Sequence, residues 1–217
     1  MIVDERVSCY IKSLTAYNSD FLEKLREKAL EAKVPIIKRE TESFLKTLLL
    51  LKKPKRILEV GAAVAYSSLV MAETLEGNVK ISTIENYEKR VLEARKNIKD
   101  SHYSNIIHLI EEDASKVLKK LVEKKEKYDF IFMDAAKGQY INWLEPVIKL
   151  LNKEGVLCSD NVLQGGDIVQ SRYLIERRDR SIHSRLREYL YELTHREELS
   201  TTILSLGDGV ALTVLKK

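Results

Sequence analysis

Five apolar runs in this chain break into acid or amide at their C-terminal ends. They are Ile57-Leu58-Glu59-Val60-Gly61, Thr83-Ile84-Glu85, a run closing on Glu112-Asp113-Ala114, Phe132-Met133-Asp134-Ala135-Ala136-Lys137, and Cys158-Ser159-Asp160-Asn161. Asp134, Asp160 and Asn161 offer only oxygen ligands, and a few oxygen donors with water completing the shell suit Mg²⁺ or Mn²⁺ rather than Zn²⁺. Lys137 follows Asp134 closely; its amine takes a proton if neutral or stabilises an oxyanion if charged. Glu85 carries a carboxylate that can accept both hydroxyls of a ribose, and Gly61 allows the backbone to approach a ligand. Taken singly, each of these residues reads as a helix cap or a turn. Together, beyond the carboxyl ends of strands, where open α/β sheets bind ligands, they point to an enzyme with a nucleotide-like cofactor and a metal.

The elements that must position these residues follow from periodicity. Helical patterns cover about 2–13, 20–32 behind the capping candidates Asn18 and Ser19, and 40–51 after Pro35. Strand patterns near 56–60, 80–84, 106–110, 128–133 and 155–159 then alternate with helices near 66–75, 87–99, 114–124 and 139–151. Such alternation implies a parallel sheet covered on both faces. A basic helical segment is expected over 171–196, followed by strands near 199–205 and 210–215 joined by Leu206-Gly207-Asp208-Gly209. So short a link makes an antiparallel hairpin, because a parallel crossover needs about a dozen residues or more. The expected fold is therefore α/β and Rossmann-like, with seven mostly parallel strands, an antiparallel C-terminal hairpin and added N-terminal helices. One unit spans 1–217, with 1–51 as a helical appendage and 55–217 as the α/β core.

With 217 residues, 44% of them apolar, the chain can bury a full core. Its net charge of +4 neither demands nor excludes nucleic acid. Cys9 and Cys158 lie far apart without metal-ligand spacing, which suggests a reduced, cytoplasmic protein. No basic flank followed by an apolar stretch opens the chain, and no apolar run approaches the roughly 20 residues that span a bilayer.

Several of these phrases resemble the class I S-adenosylmethionine-dependent methyltransferases, and among them the cation-dependent catechol and caffeoyl-CoA O-methyltransferases. The resemblance runs through Val34-Pro35-Ile36-Ile37, Glu59-Val60-Gly61, Tyr66-Ser67, Glu85, Asp113-Ala114, Asp134-Ala135-Ala136-Lys137 and Asp160-Asn161. It implies that Ile37 and Ser67 contact the methionine part of the donor, Glu85 the ribose, and Asp113 with Ala114 the adenine. Glu59, Gly61 and Asp134 are assigned to the same cofactor site, and Asp134, Asp160 and Asn161 to Mg²⁺ or Mn²⁺. Where the family usually has glycine before Tyr-Ser, this chain has Ala65, which suggests α-region rather than left-handed backbone there.

For the acceptor, Arg172, Arg177, Arg178, Arg180, Arg185 and Arg187 stand against Glu176 and Asp179. Arginine-rich runs favour phosphate contacts, although a solvated helix face is the plainer reading. With Asp134-Ala-Ala-Lys-Gly-Gln-Tyr140, Asp160-Asn-Val-Leu163 and Gly207-Asp-Gly209, this segment is similar to the bacterial tRNA 5-hydroxyuridine methyltransferases. That resemblance implies a tRNA anticodon loop as partner, with Arg172, Arg177, Arg178 and Arg180 on nucleic acid. Its 5-hydroxyl and 4-carbonyl would chelate a divalent ion as a catechol does. A small phenol is the alternative acceptor, and a non-catalytic RNA-binding protein is a third reading. Similar enzymes are commonly homodimers, so self-association through the N-terminal helices is expected as well.

Overall fold

The computed structural model describes residues 4–216; positions 2 and 3, expected in the first helix, lie outside the described residues. Three helices open it: α1 (Glu5–Leu14), α2 (Asp20–Glu31) and α3 (Arg39–Lys52). Asp4 caps the first, accepting from the Arg6 N–H, and Ser19 caps the second, accepting from the Leu22 N–H. Then β1 (Arg56–Val60), α4 (Tyr66–Thr74), β2 (Lys80–Ile84), α5 (Glu88–Asp100), β3 (Ile107–Ile110), α6 (Ala114–Glu123), β4 (Tyr128–Met133), α7 (Tyr140–Leu150) and β5 (Leu151–Asp160) alternate as expected. The chain closes with α8 (Arg180–His195), β6 (Leu199–Leu204) and β7 (Val210–Leu215).

The basic segment departs from expectation. Helix begins only at Arg180, and before it lie two short 3₁₀ turns, Gln164–Val169 and Arg172–Leu174. Gly165 and Gly166 take positive φ of 63° and 106°, which helical backbone does not allow.

Seven strands form one sheet in the order β3-β2-β1-β4-β5-β7-β6. The first five are parallel; β7 runs antiparallel to both β5 and β6. Strand order reverses between β1 and β4, the switch point beyond whose carboxyl ends ligands bind in such sheets. Alternation along the strands builds two cores. Ile57, Phe130, Phe132 and Cys158 face α3 and α4, while Leu58, Val60, Ile131, Met133 and Leu157 face α7 and α8. Both faces are apolar because helices cover both, and each fully buried side chain of this size contributes about 1.5–3 kcal/mol.

Candidate active site

One cavity of about 630 Å³ lies over the switch point. Its walls include Ile37, Gly61, Ser67, Glu85, Asp113, Ala114, Asp134, Lys137, Asp160 and Asn161, so nearly every residue singled out from the strand ends meets in one place. Six carboxylates (Glu85, Glu112, Asp113, Asp134, Asp160 and Asp208) share that wall with two lysines, Lys38 and Lys137. An acidic enclosure of this kind favours cationic ligands.

At the β1 end, Gly61 has φ +102°, and a Cβ placed there would lie 2.2 Å from the Asp134 carbonyl oxygen. No other residue fits. The Gly61 and Ala62 N–H groups donate to the Ile84 carbonyl, while Ala63 and Ala65 adopt left-handed φ of 47° and 64°. The α-region expectation for Ala65 is therefore corrected: the tight path from β1 into α4 imposes the left-handed turn whether or not glycine is present. For non-glycine residues that conformation costs about 1–2 kcal/mol each, and strained backbone of this sort gathers at ligand sites.

Glu85 is held rigidly. Its Oε2 accepts from Ala63 N–H at 2.9 Å, and its Oε1 accepts from Asn86 and Tyr87 N–H, each at 2.9 Å. Asp113 caps α6, its Oδ1 accepting from the N–H groups of Ser115 and Lys116. The cap reading and the cavity reading both hold for this residue. Trp143, which sequence reasoning missed, also lines the cavity, with Nε1 donating to Ser115 Oγ at 2.9 Å.

Glu59 needs correction as a cofactor contact. It does not line the cavity; it is wholly buried and accepts hydroxyls from Ser67, Ser68 and Thr83. The pleat turns it toward α4, one residue before the strand end. Burial pushes its carboxyl pKa up, and the three hydroxyls oppose that shift. Glu59 thus holds the Ser67 hydroxyl from behind the cavity wall.

At the β4 and β5 ends, Asn161 Nδ2 donates to Asp134 Oδ1 at 3.0 Å, and Lys137 Nζ lies 3.8 Å from that same oxygen. Asp160 is 2% exposed. Burial and then the neighbouring Asp134 carboxylate push its pKa up to about 7, and burial raises Asp134 in turn. Asn161 sits at φ 60°, a conformation that asparagine tolerates better than most residues.

Two residues outside the expected set complete this end. The Tyr140 hydroxyl accepts from Ala135 N–H at 3.1 Å and directs its proton toward the carbonyls of Met133, at 3.0 Å, and Asp160, at 3.2 Å, tying the two strand ends together. Asp208 arrives from the β6–β7 turn, because the register sets Val210 opposite Asp160. Its carboxylate Oδ1 accepts from Lys38 Nζ at 2.7 Å.

The arginines assigned to nucleic acid do not line this cavity. Arg180 donates to the carbonyls of Ile175 and Tyr173, and Arg178 pairs with Glu176 and Asp179. Arg185 and Arg187 likewise donate to carbonyls, those of Gly138 and Ile168. Of the six, Arg180 alone is half-buried; Arg172, Arg177, Arg178, Arg185 and Arg187 stay exposed.

An O-methyltransferase family model matches residues 12–217. A catechol O-methyltransferase of Niastella koreensis is 30% identical over 168 residues, covering 76% of each protein. A Staphylococcus aureus crystal structure, provisionally named a caffeoyl-CoA O-methyltransferase, superposes with a TM-score of 0.89 at 30% identity, over 97% of this chain and all of that one. The SAH-bound methyltransferase of Podospora anserina gives a TM-score of 0.87 at 25% identity, over 98% of this chain and 95% of that one. With the family model matching residues 12–217, a fold that superposes on a solved relative over 97% of its length and carboxylates gathered at the switch point of its sheet, this chain belongs to the O-methyltransferase family, in its class I, Rossmann-like form.

Proposed function

We propose that this protein is an S-adenosylmethionine-dependent O-methyltransferase acting on a small phenol with two neighbouring oxygens, of catechol or caffeoyl-CoA type. The observation that carries this reading is the meeting of Asp134, Lys137, Asp160 and Asn161 in the same acidic cavity as Glu85, Asp113 and Gly61. Ile37 and Ser67 would border the methionine part of the donor, Glu85 the ribose, and Asp113 with Ala114 the adenine. A sulfonium is a cation, and this enclosure is negatively charged.

Among the described residues no three His, Cys, Asp or Glu side chains cluster as a metal site. The fit therefore rests on the chemistry of two carboxylates and one amide. Burial pushes the pKa of both Asp134 and Asp160 up, and the Asp134 carboxylate adds to the rise at Asp160; an oxygen-only set of this size suits Mg²⁺ or Mn²⁺ with water completing the shell. Asp134, Asp160 and the Asn161 carbonyl would hold the ion, which when bound lowers the pKa of an acceptor hydroxyl. Lys137 would take the acceptor's proton at Nζ if its amine is neutral, or stabilise the acceptor oxyanion if it is charged. The strand ends, locked by Tyr140, keep these groups in fixed register, as an in-line methyl transfer demands.

Lys137→Ala is expected to lower kcat by about 10²–10⁴-fold while S-adenosylhomocysteine binding stays nearly unchanged. Steady-state kinetics beside calorimetry checks this, and an unaltered kcat removes Lys137 from the chemistry.

The relatives favour a small phenol over 5-hydroxyuridine in tRNA, since the matched Niastella protein is named for catechol. The exposed arginines of the basic segment, Arg172, Arg177, Arg178, Arg185 and Arg187, are what favours the tRNA reading. The two acceptors separate in one assay: methyl transfer to catechol or to hydroxyuridine-containing tRNA, measured across salt. Transfer to catechol that barely responds to salt supports the proposal; transfer confined to tRNA and falling steeply with salt overturns it. Self-association is proposed through α1, which buries no residue and exposes Val7, Tyr10, Ile11 and Leu14.

A further inference from the structure

Arg26 stands on α2, outside the cavity wall, and is only 9% exposed. Its Nη1 donates to the Ile37 carbonyl at 3.1 Å and to Glu42 Oε2 at 3.2 Å, and lies 3.5 Å from the Tyr66 hydroxyl. Its guanidinium also sits 5.5 Å from the centre of the Tyr66 ring, within range of a cation–π attraction. Glu42 is wholly buried and accepts the Tyr66 hydroxyl at 2.7 Å on Oε2. Its other oxygen accepts from Asn18 Nδ2 at 2.7 Å and Arg39 Nη1 at 3.3 Å.

This network touches two walls of the cavity from behind. Ile37 belongs to the segment between α2 and α3, and Tyr66 opens α4, immediately before Ser67; all three line the cavity. Backbone bonds tie Val34 N–H to the Ala29 carbonyl and Glu42 N–H to the Lys38 carbonyl. Between those anchors, the carbonyl of Ile37 is held by Arg26. A buried ion pair seldom outweighs its desolvation cost relative to packed apolar residues, so stability is a weak reason for this one. What it does is join α2, the Ile37 backbone, α3 and α4 through a single guanidinium and a single carboxylate.

We propose that Arg26 is a positioning residue for the methyl donor: with Glu42 and Tyr66 it sets the distance between the Ile37 backbone and the start of α4, between which the methionine part is held. This rests on the donor site proposed above. Nothing in it requires Arg26 to touch the donor.

The test is S-adenosylhomocysteine binding by calorimetry, thermal unfolding, and KM for S-adenosylmethionine beside kcat at saturating catechol and Mg²⁺. Arg26→Met is expected to raise Kd and KM for the donor by about tenfold, with kcat within about twofold of the parent. Arg26→Lys, which restores a charge opposite Glu42, is expected to recover part of that loss. A lower Tm with parental Kd and KM would make the network purely structural and overturn the inference. Should Arg26→Met fail to fold, Tyr66→Phe removes one hydroxyl and keeps the ring; a rise in Kd of about threefold or more supports the inference, and an unchanged Kd overturns it. Failure of the unaltered protein to bind S-adenosylhomocysteine would instead sink the donor site itself, and the inference with it, before any variant is made.

Discussion

Asp134→Asn is expected to lower methyl transfer by about 10³-fold or more while leaving the protein folded with an unchanged or slightly higher Tm. The loss reflects the several kcal/mol that Lewis-acid stabilisation of a developing oxyanion supplies, since about 4 kcal/mol corresponds to a thousandfold in rate. Stability moves the other way for an electrostatic reason. Burial and Asp134 together push the Asp160 carboxyl up to about 7, so removing the Asp134 charge relieves a repulsion inside the fold. Asp134 also accepts from Asn161 Nδ2 and faces Lys137, and an asparagine keeps the size needed to pack there. Mg²⁺ titration by calorimetry, an activity assay and a melting curve together decide the matter. Wild-type turnover in the variant, or full turnover of the parent in EDTA, would remove the metal from the proposal.

Gly61→Ala is expected to be as damaging by another route. Its φ of +102° lies where an L side chain is strained, and the new Cβ would meet the Asp134 carbonyl oxygen at 2.2 Å. Strain and overpacking each cost about 1–3 kcal/mol, so a loss of about 2–6 kcal/mol is expected. For a chain of this length, at about 2–4 °C per kcal/mol, that lowers Tm by roughly 4–24 °C. The relief available to the backbone is to push β1 and β4 apart at their carboxyl ends, which displaces Asp134. Donor affinity should therefore fall in whatever fraction remains folded. A variant that melts like the parent and binds S-adenosylhomocysteine equally well would show that the contact is not tight.

Much of the candidate site was legible because acids at strand ends obey two simple rules. Parallel strands buried on both faces must be continuously apolar, so the residue where polarity returns marks the carboxyl end; in such sheets the carboxyl ends share one edge. Gly61, Glu85, Asp134 and Asp160 followed from those rules. Glu59 did not, because its role turns on which face of the strand it occupies, and Ser67, Ser68 and Thr83 come from two other elements. The left-handed Ala65 was misread since local propensity was outweighed by the path the chain must take from β1 into α4. The late start of α8 was missed because arginines and apolar residues alternate through 171–179 in a way that periodicity alone cannot separate from helix.

By itself the sequence determined the order of strands and helices along the chain, the antiparallel nature of the last hairpin and the acids that close each strand. These depend on local pattern, on loop length and on which side chains water tolerates, all of which act over a few residues. Tertiary structure decided the rest: that Asp208 comes beside Asp160, that Tyr140 bonds two strand ends, that Arg26 reaches the carbonyl of Ile37, and that Arg180 turns back onto the carbonyls of Ile175 and Tyr173. Those contacts join residues whose meeting depends on sheet register and helix packing, and neither is written in any short stretch of the chain.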